Sequence, residues 1–157
     1  MKNLNNIGLD QKAGKDLAIK LNELLANYSV FYQNVRGYHW NVKGEKFFEL
    51  HTKFEELYND LFLKIDEIAE RILTLGEQPD YKYSDYKKQS EIKESKKTTN
   101  GINNVKEIVS AFKLLIAMQR KILVSAAGIN DEGTVALMSD YIREQEKSVW
   151  MYSAFLG

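Results

Sequence analysis

The sequence predicts an all-α protein built as a four-helix bundle. Apolar residues recur every three or four positions over long stretches, which is the spacing of one buried face of an α-helix. Only one proline, Pro79, occurs among the 157 residues, and the nine glycines fall mostly near the ends of the periodic stretches. Four such stretches in a chain of single-domain length make a helical bundle the economical architecture.

The first two helices are separated by a short connection. Apolar periodicity predicts the first helix over residues 17–42, and Gly44 interrupts it. The second helix is predicted over residues 45–75. Gly76 and then Pro79 follow it, in the order in which helix stop signals usually occur.

The third and fourth helices are also joined by a short connection. The third is predicted to follow Gly101 and to close at Gly128. The fourth is predicted to begin near Asp131 and to continue through Phe155. The whole chain, residues 1–157, is therefore expected to form one domain.

Residues 77–101 form a long crossover segment between the second and third helices. A structureless loop of that length is uncommon in a compact domain, so the segment is expected to carry structure of its own. Ser84 and Asp85 predict the cap of a short helix over residues 86–94. A four-helix bundle with one long crossover has the ferritin-like connectivity. The segment before the first helix, residues 1–9, is expected to be a short N-terminal tail.

Composition excludes several classes of function. The chain has 22 basic and 22 acidic residues, and this neutral balance shows no bias toward nucleic acid or membranes. It has no cysteine, which excludes disulfides, thiolate metal sites and thiol catalysis. Neither an export signal nor an apolar run of membrane-spanning length is recognised. A cytoplasmic protein that makes no membrane contact is therefore expected.

The two histidines are the most informative residues for function. Each lies in a predicted helix, and His51 is followed on its own helix by Glu55, Asp66 and Glu70. His51 and Glu55 are four residues apart, as are Asp66 and Glu70, so each pair shares a helix face. Imidazole and carboxylate ligands together suit iron, zinc and manganese. His39 lies on the preceding helix.

The spacing of these pairs predicts a site shared between two chains. From His51 to Asp66 the helix turns by a net angle of about 60° but rises by about 22 Å, too far for one metal site within one chain. Two copies of the helix packed antiparallel across a twofold axis near Asp60 would bring the pairs together, with two equivalent sites per dimer. The alternative is that these acidic residues form only a solvated helix face.

Five segments resemble the Dps family of ferritin-like proteins, and the resemblance covers all four helices. They are Tyr38–Gly44, Phe47–His51, Phe54–Tyr58, Asp66–Arg71 and Trp150–Gly157. The resemblance implies a cytoplasmic shell of twelve identical subunits that oxidises Fe(II), with hydrogen peroxide preferred to dioxygen. Ferric mineral would collect inside the shell. Removal of Fe(II) and peroxide together would suppress hydroxyl-radical formation and so protect DNA.

The family's ligand pattern falls on the residues selected by spacing. It implies His39, His51 and Glu55 from one subunit, with Asp66 and Glu70 from its twofold-related neighbour. Iron is the expected metal, and zinc or manganese would fit the same ligands. Glu55 departs from the family's commoner aspartate. Because a ligating imidazole must be neutral, metal binding should weaken below about pH 6.

Other residues receive secondary roles from the resemblance. Trp40, beside His39, is interpreted either as an oxidisable trap for stray radicals or as an interface aromatic. Asp131 and Glu132 are the candidates for an acidic threefold pore through which iron passes, with Asp140 behind them. Acidic residues in the first turn also stabilise the helix dipole, which is the alternative explanation. Ion pairs rather than chemistry are expected of Arg71 and its neighbour Glu67.

Direct DNA binding is the least favoured of the family traits. Relatives that bind DNA directly usually use a mobile lysine-rich tail, whereas the N-terminal segment contributes only Lys2. The crossover does contain a cluster of lysines, Lys82, Lys87, Lys88, Lys93, Lys96 and Lys97. Overall neutrality favours a solvated basic surface for them.

Two other functions compete with the ferroxidase function that the resemblance implies. A bacterioferritin-like or rubrerythrin-like di-iron protein would carry Glu-x-x-His motifs, but Arg36 and Phe48 stand three residues before the two histidines. A structural or DNA-compacting helical shell without redox activity is the other rival. The kinetics of iron oxidation would separate it from a ferroxidase.

Overall fold

A computed structural model describes residues 3–157 of the chain. Its elements are α1 (Gln11–Asn41), α2 (Phe47–Thr74), α3 (Tyr83–Gln89), α4 (Gly101–Gly128) and α5 (Glu132–Leu156). α1 packs on α2, α4 packs on α5, and α1 also packs on α4. The predicted all-α, ferritin-like four-helix bundle with an extra crossover helix is confirmed. No helix in the described part of the chain is long and apolar enough to cross a membrane.

Large apolar side chains fill the space between the four long helices. Phe31 of α1 meets Phe112 of α4 edge to face, with ring centroids 5.4 Å apart. Phe54 and Leu61 of α2 are fully buried. Burial of each such side chain contributes about 1.5–3 kcal/mol to stability, so the apolar periodicity is what assembles the bundle.

Charged side chains join α2 to α5. The ammonium of Lys64 is nearly buried and lies 2.8 Å from carboxylate oxygens of Asp60 and Glu144. Burial alone would lower the pKa of Lys64, but its hydrogen bonds to these carboxylates outweigh that effect and raise it. The charged lysine therefore acts as a polar link between the two helices.

Capping residues and one glycine set the helix ends. Asp10 accepts a hydrogen bond from the backbone N–H of Ala13 at the start of α1, and Asn100 accepts one from Asn103 at the start of α4. Gly76 after α2 has a φ of 93°, the left-handed conformation in which glycine commonly ends a helix.

The short helix of the crossover lies earlier than predicted. α3 begins at Tyr83 and ends at Gln89, so Ser84 and Asp85 lie within its first turn rather than before it. Its early end has a physical cause in α1. The side-chain oxygen of Asn27 accepts hydrogen bonds of 3.0 Å from the backbone N–H groups of residues 91 and 92, which draws the chain out of the helix.

Three asparagines of α1, here called the asparagine ladder, hold the crossover in place. They are Asn22, Asn27 and Asn34. Asn22 accepts a hydrogen bond from the backbone N–H of Asp80 at 2.8 Å. Asn34 accepts one from Ser95 at 3.0 Å and donates one to the carbonyl of residue 93 at 2.9 Å. No residue of α3 is fully buried, so these polar contacts add to the attachment that the partly buried Tyr86 and Ile92 make to the core.

The N-terminal segment is folded from residue 3 onward. The side-chain oxygen of Asn5 accepts hydrogen bonds from the backbone N–H groups of Ile7 and Leu9, at 3.1 and 3.0 Å. Its amide nitrogen lies 3.3 Å from the carbonyl of Leu75 at the end of α2. The predicted tail is therefore packed against the bundle over these residues. Met1 and Lys2 lie outside the described residues.

Candidate metal-binding site

The hairpin between α1 and α2 brings the two histidines together. His39 lies in the last turn of α1 and His51 near the start of α2, and the intervening turn passes through Gly44, whose φ is 113°. The imidazole rings are stacked, with centroids 3.8 Å apart and planes inclined by 13°. Both histidines therefore belong to one site within a single subunit.

Reciprocal hydrogen bonds fix the orientation of both rings. Nδ1 of His39 lies 2.7 Å from the backbone carbonyl oxygen of His51, and Nδ1 of His51 lies 2.7 Å from the carbonyl oxygen of His39. A carbonyl oxygen only accepts, so each Nδ1 carries the proton. In a neutral imidazole the other nitrogen, Nε2, then has a free lone pair. Both histidines are thus held in the tautomer that binds a metal through Nε2.

Aromatic rings enclose the histidine pair. Phe47 stacks on His51, with centroids 4.9 Å apart, and the ring of Tyr58 meets His39 edge-on at 5.4 Å. His39 is only 8% exposed. These contacts restrict rotation of the imidazoles and leave Nε2 of each ring without a hydrogen-bond partner in the described chain.

The three predicted carboxylate ligands lie along α2 at two separate places. Glu55 follows His51 by one helical turn, whereas Asp66 and Glu70 lie about 22 Å or more from His51 along the axis of α2. All three are exposed, and none has a side-chain hydrogen bond or ion pair within residues 3–157. No three histidine or acidic side chains converge on one point in that part of the chain. The predicted ligands of one subunit therefore form two separate groups, His39, His51 and Glu55 in one and Asp66 and Glu70 in the other, here called the half-sites.

The surface around the half-sites is unusually apolar. Phe48 is 82% exposed and Phe62 is 58% exposed, and both lie within about 60° of His51 around the axis of α2. Trp40 of α1 is exposed as well, and the guanidinium of Arg36 covers its ring at 4.8 Å. Several large apolar side chains exposed on one side of a helix favour a protein interface there.

The two pore candidates have different environments. Asp131 is 2% exposed; it accepts hydrogen bonds from the backbone N–H of Thr134 at 3.0 Å and from the guanidinium of Arg71 at 2.6 Å. Its carboxylate is therefore occupied as the cap of α5 and as a partner of α2. Glu132 is exposed and has no such partner in the described chain. Asp140 pairs with Arg143 at 3.1 Å.

Arg71 and Glu67 make contacts within the subunit. The Nε atom of Arg71 donates to the hydroxyl of Thr134 at 2.9 Å. Glu67 accepts a hydrogen bond from the hydroxyl of Tyr141 at 2.9 Å. Burial and this neighbouring carboxylate raise the pKa of Tyr141. These two residues thus dock α2 on α5. Arg71 pairs with the buried Asp131 of its own subunit, whereas Glu67 makes a hydrogen bond and not the expected ion pair.

The crossover lysines are balanced by neighbouring acidic residues. The segment from residue 77 to residue 101 has six lysines and five acidic residues. Lys87 pairs with Glu94 at 3.3 Å. The crossover thus provides no strong excess of positive charge.

Sequence reasoning chose the histidines but missed their mutual contact. The signal was present, because positions 39 and 51 lie equally far from Glu45, in the middle of the hairpin turn. Residues equidistant from the turn of two packed antiparallel helices come opposite one another. Nothing in the sequence indicates that Phe47 and Tyr58 pack on the histidines, because aromatic residues at helical spacing are ordinary core residues.

Comparison with known proteins places the chain among close relatives. A family model described as a ferritin-like domain matches residues 19–157. A protein of Haemophilus influenzae without an assigned function is 54% identical over 149 residues, covering 95% of this chain and 93% of that one. The DNA protection during starvation protein of Porphyromonas gingivalis is 40% identical over 148 residues, covering 94% and 93%.

A solved structure has the same fold as this chain. The Dps protein of Vibrio cholerae O1 is described as a member of a broad superfamily of ferritin-like diiron-carboxylate proteins. It superposes on this chain with a TM-score of 0.97 and 56% identity, covering 98% of this chain and 97% of that one.

Proposed function

This chain belongs to the Dps family of ferritin-like proteins, and we propose that it is a ferroxidase that oxidises Fe(II) and stores the ferric product. One observation carries the proposal: His39 and His51 hold each other in the tautomer that leaves Nε2 of each ring free to bind a metal. A histidine pair serving only the core would not need two free Nε2 atoms at a surface.

The two half-sites suggest how the metal site is completed. When two copies of α2 lie antiparallel across a twofold axis, Asp66 and Glu70 of the partner subunit meet His39, His51 and Glu55. The interface is isologous, so two equivalent sites form in each dimer. The exposed Phe48 and Phe62 would be buried in the same contact. The proposed assembly is a shell of twelve subunits.

Each ligand has a definite role in this chemistry. Carboxylate oxygens of Asp66 and Glu70 bind Fe(II), and the neutral imidazoles complete the coordination; zinc and manganese suit the same ligands.

The proposed reaction consumes peroxide together with iron. Two ferrous ions reduce one hydrogen peroxide to two waters, consuming two protons. Hydrogen peroxide is the proposed preferred oxidant, and ferric mineral collects in the shell. DNA is protected because Fe(II) and peroxide are removed together.

Three finer roles belong to the same proposal. Glu55 ligates with a longer side chain than the family's commoner aspartate. Glu132 is the better candidate for the iron pore, because Asp131 is occupied by Arg71. Trp40 remains the proposed radical trap of the interface. We place the protein in the cytoplasm, and its balanced crossover charge gives no support to direct DNA binding.

The proposed function is tested by loading the assembled protein with Fe(II) without oxygen and then adding hydrogen peroxide. Ferric absorbance should rise rapidly in the wild type. In a His51→Ala, Asp66→Ala double variant it should rise only as fast as in buffer that contains iron and peroxide but no protein. Asp16→Ala, which removes an exposed acidic residue of α1, is the matched control and should behave as wild type. Background oxidation by all three proteins would instead favour the passive shell.

A further inference from the structure

The start of α4 carries the single Asn-Gly pair of the chain, Asn100 followed by Gly101. Such a pair is chemically labile, because the backbone nitrogen of the glycine can attack Cγ of the asparagine without hindrance from a side chain. A C–N bond forms, and ammonia leaves with the proton of the glycine nitrogen. Water then opens the five-membered succinimide to aspartate or to isoaspartate.

Both residues of the pair have structural roles in this fold. The side-chain oxygen of Asn100 accepts a hydrogen bond from the backbone N–H of Asn103 at 3.0 Å and so caps α4. A Cβ atom at Gly101 would overlap Cδ1 of Leu50 and would lie 3.5 Å from Cγ2 of Val42. Glycine is therefore the residue that allows this close contact between α4 and the α1–α2 hairpin.

The folded conformation keeps the pair unreactive. The succinimide ring closes only when the glycine nitrogen is rotated toward Cβ of the asparagine, whereas the ψ of 112° at Asn100 turns that nitrogen away. The carbonyl oxygen of Asn100 accepts a hydrogen bond from the backbone N–H of Asn104 at 2.9 Å, and this bond fixes the same rotation. Ring closure therefore requires the first turn of α4 to open.

The α1–α2 hairpin holds this turn closed. The backbone N–H of Lys43 in the hairpin turn donates to the carbonyl oxygen of Thr99 at 2.9 Å. Leu50, which contacts Gly101, is buried and immediately precedes one of the two histidines. Asn100 itself is exposed, so water reaches the pair as soon as the turn opens. The reactivity of the pair thus depends on whether the hairpin is in contact with α4.

We propose that Asn100–Gly101 is a deamidation site gated by the contact between the α1–α2 hairpin and the start of α4. Deamidation is slow while this contact is made and fast when it opens. Aspartate keeps an acceptor oxygen at the cap, so the turn can close again. Isoaspartate adds one carbon atom to the backbone and misplaces the cap, so the turn stays open. The modification is a permanent record of opening, and its chemistry is independent of the ferroxidase function.

The test incubates the assembled protein in mildly alkaline buffer and follows the peptide of residues 98–106 by tandem mass spectrometry. This method locates the change among the three asparagines of the peptide, and an isoaspartyl methyltransferase detects isoaspartate. Asn100 should deamidate at least about tenfold more slowly in the folded wild type than in urea that unfolds it. Asn100→Ser, which also caps a helix, is the negative control and should show no mass change at residue 100.

A pair of leucine variants tests the role of the hairpin contact. Leu50→Ala removes the side chain that contacts Gly101 and should accelerate deamidation in the folded protein by about tenfold or more. Leu21→Ala is the matched control, because this fully buried leucine lies about 30 Å along α1 from the hairpin turn. It should leave the rate near that of wild type. Equal acceleration in both variants would overturn the proposal, since global unfolding would then expose the pair.

A measurement on the wild type decides the question if Leu50→Ala does not fold. Amide hydrogen exchange at Asn103 reports opening of the cap of α4. As urea is raised below the unfolding transition, this exchange and the deamidation of Asn100 should accelerate in parallel. Deamidation as fast in the folded protein as in the unfolded chain would contradict the gating, as would an absence of deamidation in both states.

Discussion

His39 and His51 each donate from Nδ1 to the backbone carbonyl of the other, at 2.7 Å in both directions. The acceptor that orients each ring is the backbone carbonyl of the other histidine, and a substitution there leaves this carbonyl in place. A single histidine variant therefore loses one ring and its stacking on the other ring, while the remaining Nδ1–H keeps its acceptor. Each single variant should lose the contribution of one ligand to metal affinity and keep the other imidazole in its metal-binding tautomer.

Mixed assembly tests whether the site is shared between subunits. His51→Ala and Asp66→Ala subunits should each be inactive alone, because every site lacks one ligand. In a mixed dimer one interface site loses both ligands, but the other combines an intact His51 with the partner subunit's intact Asp66. Peroxide-dependent iron oxidation should therefore return when the two variants are unfolded and refolded together. An intrasubunit site would give no recovery.

The junction of α2 with α5 depends on a glycine. A Cβ atom at Gly133 would lie 2.7 Å from the guanidinium of Arg71, which bridges to the cap residue Asp131. Gly133→Ala should lower the free energy of unfolding by about 1–3 kcal/mol, the usual cost of overpacking. Denaturant unfolding would measure it. Gly128→Ala is the control, because no atom lies within 4 Å of its added Cβ, and it should unfold at about the wild-type denaturant concentration.

The asparagine ladder should control the local stability of the crossover. Asn27→Ala removes the acceptor of the backbone N–H groups of residues 91 and 92. Amide hydrogen exchange at these positions should accelerate strongly, while exchange in the core of α4 should change little. Asn22→Ala removes the acceptor of the Asp80 backbone N–H and is the control; it should leave exchange at residues 91 and 92 nearly unchanged. Equal acceleration in both variants would contradict this role for the side-chain oxygen.

Buried tyrosines predict a loss of stability in alkaline solution. Burial raises the pKa of Tyr28, Tyr38, Tyr141 and Tyr152 in the folded chain. Unfolded phenols ionise near pH 10, so below that pH both states are protonated and the full stability is present. Above it the unfolded state loses protons first, and the free energy of unfolding falls as pH rises. Denaturant titrations between pH 8 and 11 would measure the slope, and a flat profile would contradict it.

Local sequence patterns were sufficient to predict the four-helix bundle and the order in which its helices are joined. Apolar residues at helical spacing can bury their faces only against other helices, so the four long helices and the long crossover followed from periodicity alone. The ends of α3 did not follow, because Asn27, far away in the sequence, determines where that helix stops. A contact made across the fold cannot be seen in a local pattern.

The sequence by itself also determined which residues are candidates for metal binding, since ligand types and helical spacing are both properties of the chain. Only the tertiary structure decided that His39 and His51 fix one another's tautomers, and that Asp131 is held by Arg71. The physical reason is that hydrogen bonds depend on distance and angle between specific atoms. Helix packing sets both, and residue spacing along one chain does not.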